Sequence, residues 1–375
     1  MGTNTSPVKW LRSKVNSQGT SQRSLAVLLG IMVAGLVLRA YRVGFQCLWT
    51  EEQYTATIAA EPFSRIISLS LLGDHNPPLY YLVAHASQVV FGVSDVALRL
   101  PSVVFGMLAI PAIYLAGRDF KDEMTGLLSA GFLAVLYPFV YYSQYARAYS
   151  MEIFFFICLL WVFIRIRKGD RHRATFMAFG ILSGITIWTH LFAVVPVSLM
   201  LADLLIFEKP QQALTAAGVA VLTVSPLLVM AGGLVGRRLF TSPSGATLGY
   251  GLGPLMMIIA TPVEFFSTTF PLMSGLVVMG LGQKDHPVFE LLAITLLTVG
   301  AGVVCSAFTP FYPRYYLAVA TVLILLVASP LASAVDWIFK NEWLKMLAIA
   351  DITGLWLLLQ LNQYGAYFLY QKYVC

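Results

Sequence analysis

Long apolar runs, each bounded by charge or by turn residues, recur along the whole chain: near 24–41, 99–117, 125–143, 150–167, 174–190, 191–207, 213–231, 266–282, 288–308, 315–335 and 345–367. A hydrocarbon core about 30 Å thick takes about 20 helical residues to cross. Backbone at that depth must satisfy its own hydrogen bonds, which only helices and closed barrels do. Barrel strands would alternate polar and apolar residues, and these runs do not. The expected fold class is therefore all-α, a polytopic membrane protein of about 11 transmembrane helices. Composition agrees: 58% of the 375 residues are hydrophobic and 11% are charged, where soluble domains carry about a quarter. A soluble globule is excluded.

The stretch Leu79–Phe91 stands apart, because 13 residues at 1.5 Å each cover only about 20 Å. Charge sidedness makes the same point. With this stretch lying in the interface, the clusters 118–121 and 165–173 fall on the side of the basic N-terminus, and 15 of the 24 Lys and Arg residues lie there, as the positive-inside rule requires. Were it to span, both clusters would move outside. The expected organisation is a cytoplasmic tail at 1–23 and a single membrane-embedded domain at 24–375. Its first external loop, 42–98, carries one or two amphipathic helices lying on the membrane. No soluble C-terminal domain is expected. No small-residue cleavage site follows the first run, which reads as a retained span. Anchoring residues account for the net charge of +6, and no nucleic-acid partner is expected. Cys47, Cys158, Cys305 and Cys375 are scattered without disulfide or zinc spacing and leave the redox compartment open.

This topology gathers polar residues of both signs, beside aromatics, on the external face. Glu51 and Glu52 follow Trp49 just beyond the first run. Adjacent carboxylates repel, so one of them is suited to act as a base near neutrality; a solvated interfacial loop explains the same residues. His75 and Asn76 precede Pro77 and Pro78, which fix an extended entry into the short helix. In Tyr141–Tyr149, Tyr142 and Arg147 stand at the external mouth of two spans. A lone Arg among tyrosines suits a phosphate, being always charged and offering a planar fork of donors, although snorkelling to headgroups accounts for it equally. Arg314, in Pro313-Arg314-Tyr315-Tyr316, repeats the pattern. His190 sits at a tight external turn, where a structural role competes with a binding one.

Taken in order, these segments resemble the polyprenyl-phosphate-sugar-dependent GT-C glycosyltransferases, the membrane superfamily that includes protein O-mannosyltransferases and aminoarabinose transferases. The resemblance rests on Glu51-Glu52 after the first span and Pro77-Pro78-Leu79-Tyr80-Tyr81. It rests further on Ala97-Leu98-Arg99-Leu100-Pro101-Ser102, on the stretch from Tyr141-Tyr142-Ser143-Gln144 to Ala146-Arg147-Ala148-Tyr149, and on Pro313-Arg314-Tyr315. It implies an inverting membrane glycosyltransferase that moves a sugar from a dolichyl or undecaprenyl phosphate to an acceptor hydroxyl on the non-cytoplasmic face. The acceptor would be a protein, glycan or lipid, and the setting the plasma membrane of a prokaryote. The resemblance places the catalytic base on Glu51, with Glu52 as its alternate, and sets Arg147, Arg314 and His75 toward the phosphate. Asn76, Tyr142 and His190 are the further substrate-binding candidates. Some members hold a divalent cation near the donor phosphates. Glu51, Glu52 and His75 are ligands of the right kind, no spacing compels one, and the metal is left open.

Two departures matter. Glu51 stands where the family has Asp, one methylene longer, and Gln144 is followed by Tyr145 where relatives commonly carry an acid. These keep in view a catalytically inert relative that binds a lipid-linked sugar. A lipid or sugar transporter would need polar residues at mid-membrane depth, and the candidates Asp203, Glu264 and Glu290 sit near span ends.

Overall fold

A computed structural model describes residues 7–71, 76–241, 288–306, 312–365 and 367–368. The elements are α1 (Pro7–Ala40), α2 (Thr50–Ala59), α3 (Phe63–Leu69), α4 (Leu79–Phe91), α5 (Asp95–Phe120), α6 (Glu123–Val135), α7 (Tyr137–Ser143) and α8 (Tyr149–Arg167). They continue as α9 (Arg173–Thr189), α10 (Val194–Phe207), α11 (Pro210–Thr241), α12 (Val288–Ser306), α13 (Leu317–Ile338), α14 (Glu342–Leu359) and α15 (Leu361–Gly365). Single 3-10 turns occupy Leu191–Ala193 and Pro313–Tyr316.

Among the described residues, six helices are long and apolar enough to cross a membrane, or seven when α6 and α7 count as one bent span. Of the other expected spans, α9 has 17 residues and Leu191–Phe207 is a shorter apolar segment. Glu342, Lys345 and Asp351 interrupt α14, and the run at 266–282 lies outside the described residues. Among the described residues, the loop between α1 and α5 holds the three α-helices α2, α3 and α4, the last of them Leu79–Phe91. Cys47, in that loop, is disulfide-bonded, which its isolated spacing did not suggest.

Burial separates a core from a rim. In their membrane-length windows 72% of α8 and 78% of α13 are buried, against 28% of α1 and of α11. The rim helices turn Leu29, Val33 and Val37, and Leu214, Val221 and Leu222, outward, as a lipid-facing surface requires. Between helices in lipid there is little hydrophobic drive, so close approach does the work and small residues make it. A Cβ at Gly180 of α9 would lie 2.6 Å from the Ala216 carbonyl of α11, and one at Gly184 would lie 2.1 Å from Thr223 Oγ1.

Charge collects at the two ends of this bundle. At one end Arg167 faces Asp203, Glu208 and Glu290, closing α8 against α10 and α12. Lys121 there donates to the Ser329 carbonyl of α13. At the other end stand the starts of α2, α5, α8 and α13. The 19 residues of α8 put the two ends about 28 Å apart, close to the thickness of the hydrocarbon core.

The expected continuous span at 125–143 is instead two helices bent by 60°. Leu136 is extended (φ −65°, ψ 123°) and Pro138 follows within the first turn of α7. A break at this depth frees carbonyls that water cannot reach, so protein groups must take them. Fully buried Arg39 of α1 does so, donating to Leu133 O (2.9 Å) and Ala134 O (2.8 Å), while its Nε reaches Ser143 Oγ (3.1 Å). Tyr364 OH covers Val135 O at 2.7 Å, and the Tyr137 amide donates to Gln360 Oε1 at 2.6 Å. In return, Gln144 Nε2 lies within 3.0 Å of the Leu38, Arg39 and Tyr41 carbonyls at the end of α1. Arg39→Met is expected to lower stability by about 3 kcal/mol and Tyr364→Phe by about 1 kcal/mol, an order that thermal unfolding in detergent would reveal.

Candidate active site

The site is built on one buried ion pair. Glu52 of α2 accepts from Arg99 of α5 through both oxygens, Oε1 from Nε and Oε2 from Nη2, each at 2.8 Å. Glu52 is fully buried and Arg99 nearly so. A buried pair is stable only when the remaining donors and acceptors are also met, and here they are. The Ala146 amide donates to Glu52 Oε1 (2.8 Å) and the Trp49 amide to Oε2 (3.0 Å). Arg99 donates in addition to the carbonyls of Val43 (2.8 Å), Gln46 (2.9 Å) and Cys47 (3.2 Å). One pair thereby holds the loop after α1, the start of α2 and the loop between α7 and α8.

Ser102, one turn further along α5, supports the same loop. Its hydroxyl donates to the Tyr145 carbonyl and lies 2.7 Å from Tyr80 OH of α4. Between these fixed points the Tyr145–Ala148 segment presents two side chains to Glu51. Tyr145 OH donates to Glu51 Oε2 at 3.1 Å, and Arg147 Nη1 lies 3.4 Å from the Glu51 carbonyl and 3.3 Å from Tyr81 OH. Arg314, from the 3-10 turn that starts α13, meets Glu51 Oε1 at 2.5 Å. Its guanidinium lies 4.2 Å from the Tyr312 ring centroid, a cation–π contact. Burial, and after it the Glu51 charge, pushes the Tyr145 phenol well above its ordinary range, so Tyr145 stays a donor to the carboxylate.

Beside this cluster is a small, partly open pocket lined by Asn76, Tyr80, Tyr81, Arg147, Tyr149 and His190. The His190 ring lies 4.9 Å from Tyr315 and 6.0 Å from Tyr149, centroid to centroid. Its burial, with Arg147 and Arg314 nearby, pushes its pKa down to about 3, so the imidazole is neutral. Tyr142 is buried one layer back and packs on Tyr141, Tyr145 and Tyr149.

Of the residues singled out from sequence, Glu51, Arg147 and Arg314 converge directly. Asn76 and His190 reach the adjoining cavity, and Tyr142 stands behind it. His75 lies outside the described residues. Glu51 and Glu52, interchangeable by sequence, are separated by geometry: every oxygen of Glu52 is taken by donors, while Glu51 is half-buried beside the cavity. Glu52, all its oxygen positions taken by donors, offers a divalent cation no coordination position, and no group of three His, Cys, Asp or Glu able to hold a metal occurs among the described residues. Sequence reasoning missed Arg99 as a site-builder. Its signal was a charge at the head of an apolar run, a position where a charge needs a partner.

The fold defines a class of protein. The family described as dolichyl-phosphate-mannose-protein mannosyltransferase matches residues 75–231. By structure, ArnT from Cupriavidus metallidurans bound to undecaprenyl phosphate is similar with a TM-score of 0.59 at 16% identity, covering 89% of this chain and 63% of ArnT. The Archaeoglobus fulgidus oligosaccharyltransferase in its apo form is similar with a TM-score of 0.54 at 14% identity, covering 88% of this chain and 54% of that one. The archaeal oligosaccharyltransferase AglB from Archaeoglobus fulgidus, in complex with an inhibitory peptide and a dolichol-phosphate, gives 0.52 at 14% identity, covering 88% of this chain and 54% of that one. A search of curated proteins finds no match. The chain thus spans less than two thirds of the length of these structures. It carries the GT-C fold, and the resemblance to that glycosyltransferase superfamily drawn from its motifs holds.

Glu52→Gln leaves Arg99 buried without its counter-charge and is expected to destabilise by about 3–5 kcal/mol. Glu51→Gln, at a partly exposed pair, is expected to cost less than about 1 kcal/mol. Chemical denaturation in detergent compares the two.

Proposed function

We propose that the chain is an inverting glycosyltransferase that moves a sugar from a polyprenyl phosphate, dolichyl or undecaprenyl, to a hydroxyl of a protein, glycan or lipid acceptor. The observation that carries this reading is the convergence of one accessible carboxylate, Glu51, with Arg314, Arg147 and Tyr145 beside a cavity at one end of the bundle. The names of the structural neighbours, one bound to undecaprenyl phosphate and one to dolichol-phosphate, support the choice of donor.

In this reading Arg314 and Arg147 receive the donor phosphate. The donor phosphate is a diester with one negative charge and two free oxygens, which a guanidinium can grip as a fork. Arg314 turns toward it and releases Glu51 Oε1, and its hold strengthens as the leaving phosphate gains its second charge. The acceptor hydroxyl attacks the anomeric carbon from the face opposite the phosphate as its proton passes to Glu51. The bond from that carbon to the phosphate oxygen breaks with its electron pair, and the carbon passes through an oxocarbenium-like state. The two guanidiniums stabilise the charge gained by the departing lipid phosphate. Attack opposite the leaving group inverts the configuration. Glu52 takes no part beyond holding Arg99, and no step is routed through a metal.

The site end is assigned to the non-cytoplasmic face of a prokaryotic plasma membrane, with the N-terminus inside. The basic residues at the opposite end support this, as does the disulfide at Cys47, since such bonds persist in oxidising compartments.

Glu51→Gln is expected to reduce sugar transfer from a polyprenyl-phosphate sugar by about 100-fold or more while leaving binding of the lipid phosphate intact; transfer at the wild-type rate would remove the proposed base. For orientation, Thr57→Cys is expected to react in intact cells with a membrane-impermeant maleimide and Lys168→Cys to be protected. The reverse pattern would invert the assignment.

A further inference from the structure

The mechanism above makes no use of Glu152. It lies in the first turn of α8, three residues after Tyr149 and so on the same helix face, with its side chain 1% exposed. Among the described residues the ionisable group it faces is His190, whose Nδ1 lies 3.7 Å from Glu152 Oε1. Glu152 Oε2 and His190 Nδ1 are both buried without a hydrogen-bond partner among the described residues. Buried polar atoms are rarely left so. With Nδ1 already 3.7 Å from the other oxygen of the same carboxyl group, small side-chain rotations bring a carboxyl oxygen within hydrogen-bond length of it.

The protonation of the pair follows from its surroundings. The groups around the His190 ring are Tyr149 and Glu152 from α8, Arg147 from the loop before it, and Arg314 and Tyr315 from the 3-10 turn. The two guanidiniums and burial keep the ring neutral, so it carries one N–H, placed by whatever the other nitrogen meets. An isolated carboxylate in such a wall is costly and takes up a proton instead. The group opposite Nδ1 is then a carboxylic acid, which has an O–H to give. With Nδ1 given to Glu152, Nε2 is the ring nitrogen left for the cavity that His190 lines.

We propose that Glu152 is a positioning residue for His190: its O–H donates to Nδ1, which fixes the imidazole proton on Nε2, and Nε2–H faces the cavity as a donor to the phosphate of a polyprenyl-phosphate ligand. The inference rests on the cavity being the phosphate site proposed above. With the other tautomer His190 would point a lone pair at phosphate oxygens and repel them.

The test is the affinity of the full-length chain in lipid nanodiscs for undecaprenyl phosphate. Glu152→Met removes the donor at similar volume and is expected to weaken binding about tenfold. Glu152→Gln, whose amide also donates to Nδ1, is expected to restore affinity to within about threefold, as a hydrogen bond without charge would. In a His190→Ala background, Glu152→Met is expected to have no further effect. The proposal is overturned if Glu152→Met binds as tightly as wild type, if it loses the same factor with His190 already removed, or if Glu152→Gln loses as much as Glu152→Met. Wild-type protein that does not bind undecaprenyl phosphate overturns the reading of the cavity itself, and this proposal with it. Thermal unfolding of each variant accompanies the titration. If Glu152→Met is unfolded, the comparison of Glu152→Gln with wild type decides alone, a loss of about tenfold overturning the proposal and retained affinity supporting it.

Discussion

The ion pair of Arg99 and Glu52 is the contact on which the site end of the bundle depends. Burying two charges costs several kcal/mol per ion before any gain is counted, so the pair persists only because the surrounding backbone meets every remaining donor and acceptor. Three carbonyls from the loop after α1 and two amides, one on each side of the site, complete the set. That requirement makes the pair an organiser. Segments distant in sequence are drawn to one point because each supplies an atom that the pair cannot do without.

A second consequence concerns its neighbour. Because Glu52 is fully committed, Glu51 is the carboxylate of the two left partly exposed, where Tyr145 of the adjoining loop and Arg314 meet it. The family match spans residues 75–231 and so contains Arg147, Glu152 and His190. Glu51 and Arg314 fall outside it and join the site through the fold, where Arg314 closes on Glu51 from the start of α13. The break between α6 and α7 belongs to the same construction: Arg39 and Gln144 each cover carbonyls of the other's segment, fixing the end of α1 and the approach to the Tyr145–Ala148 loop together.

Much of this was legible in the sequence. Apolar runs located the membrane-length helices because in lipid the apolar length is the element. The short run at Leu79–Phe91 emerged as a helix with those bounds because its ends are set by Pro78 and Gly92. Sorting charges by side brought Glu51, Arg147 and Arg314 to one end, where the fold then makes them touch. What could not be read were features decided by partners. Pro138 is the one local mark of the bend at Leu136, and it does not by itself set a 60° break inside so apolar a run; the break is tolerated because Arg39, Tyr364 and Gln360 arrive from elsewhere. Arg39 and Arg99 looked like charges flanking a span, and only packing shows them buried and hydrogen-bonded to distant segments. Glu51 and Glu52 are the same residue type side by side, and their division of labour follows from helical geometry, which turns one inward to Arg99 and the other toward Tyr145 and Arg314.

The central claim is that the end of the bundle carrying Glu51, Arg147 and Arg314 receives a lipid-linked phosphate while Glu52 stays locked to Arg99. A cryo-electron-microscopy structure of the chain in nanodiscs with undecaprenyl phosphate tests this most directly. The account predicts phosphate density against the Arg147 and Arg314 guanidiniums, the Glu51–Arg314 contact opened and the Glu52–Arg99 contact unchanged. Phosphate bound away from both guanidiniums with the Glu51–Arg314 contact intact, or Glu52 released from Arg99 to face the ligand, would contradict it.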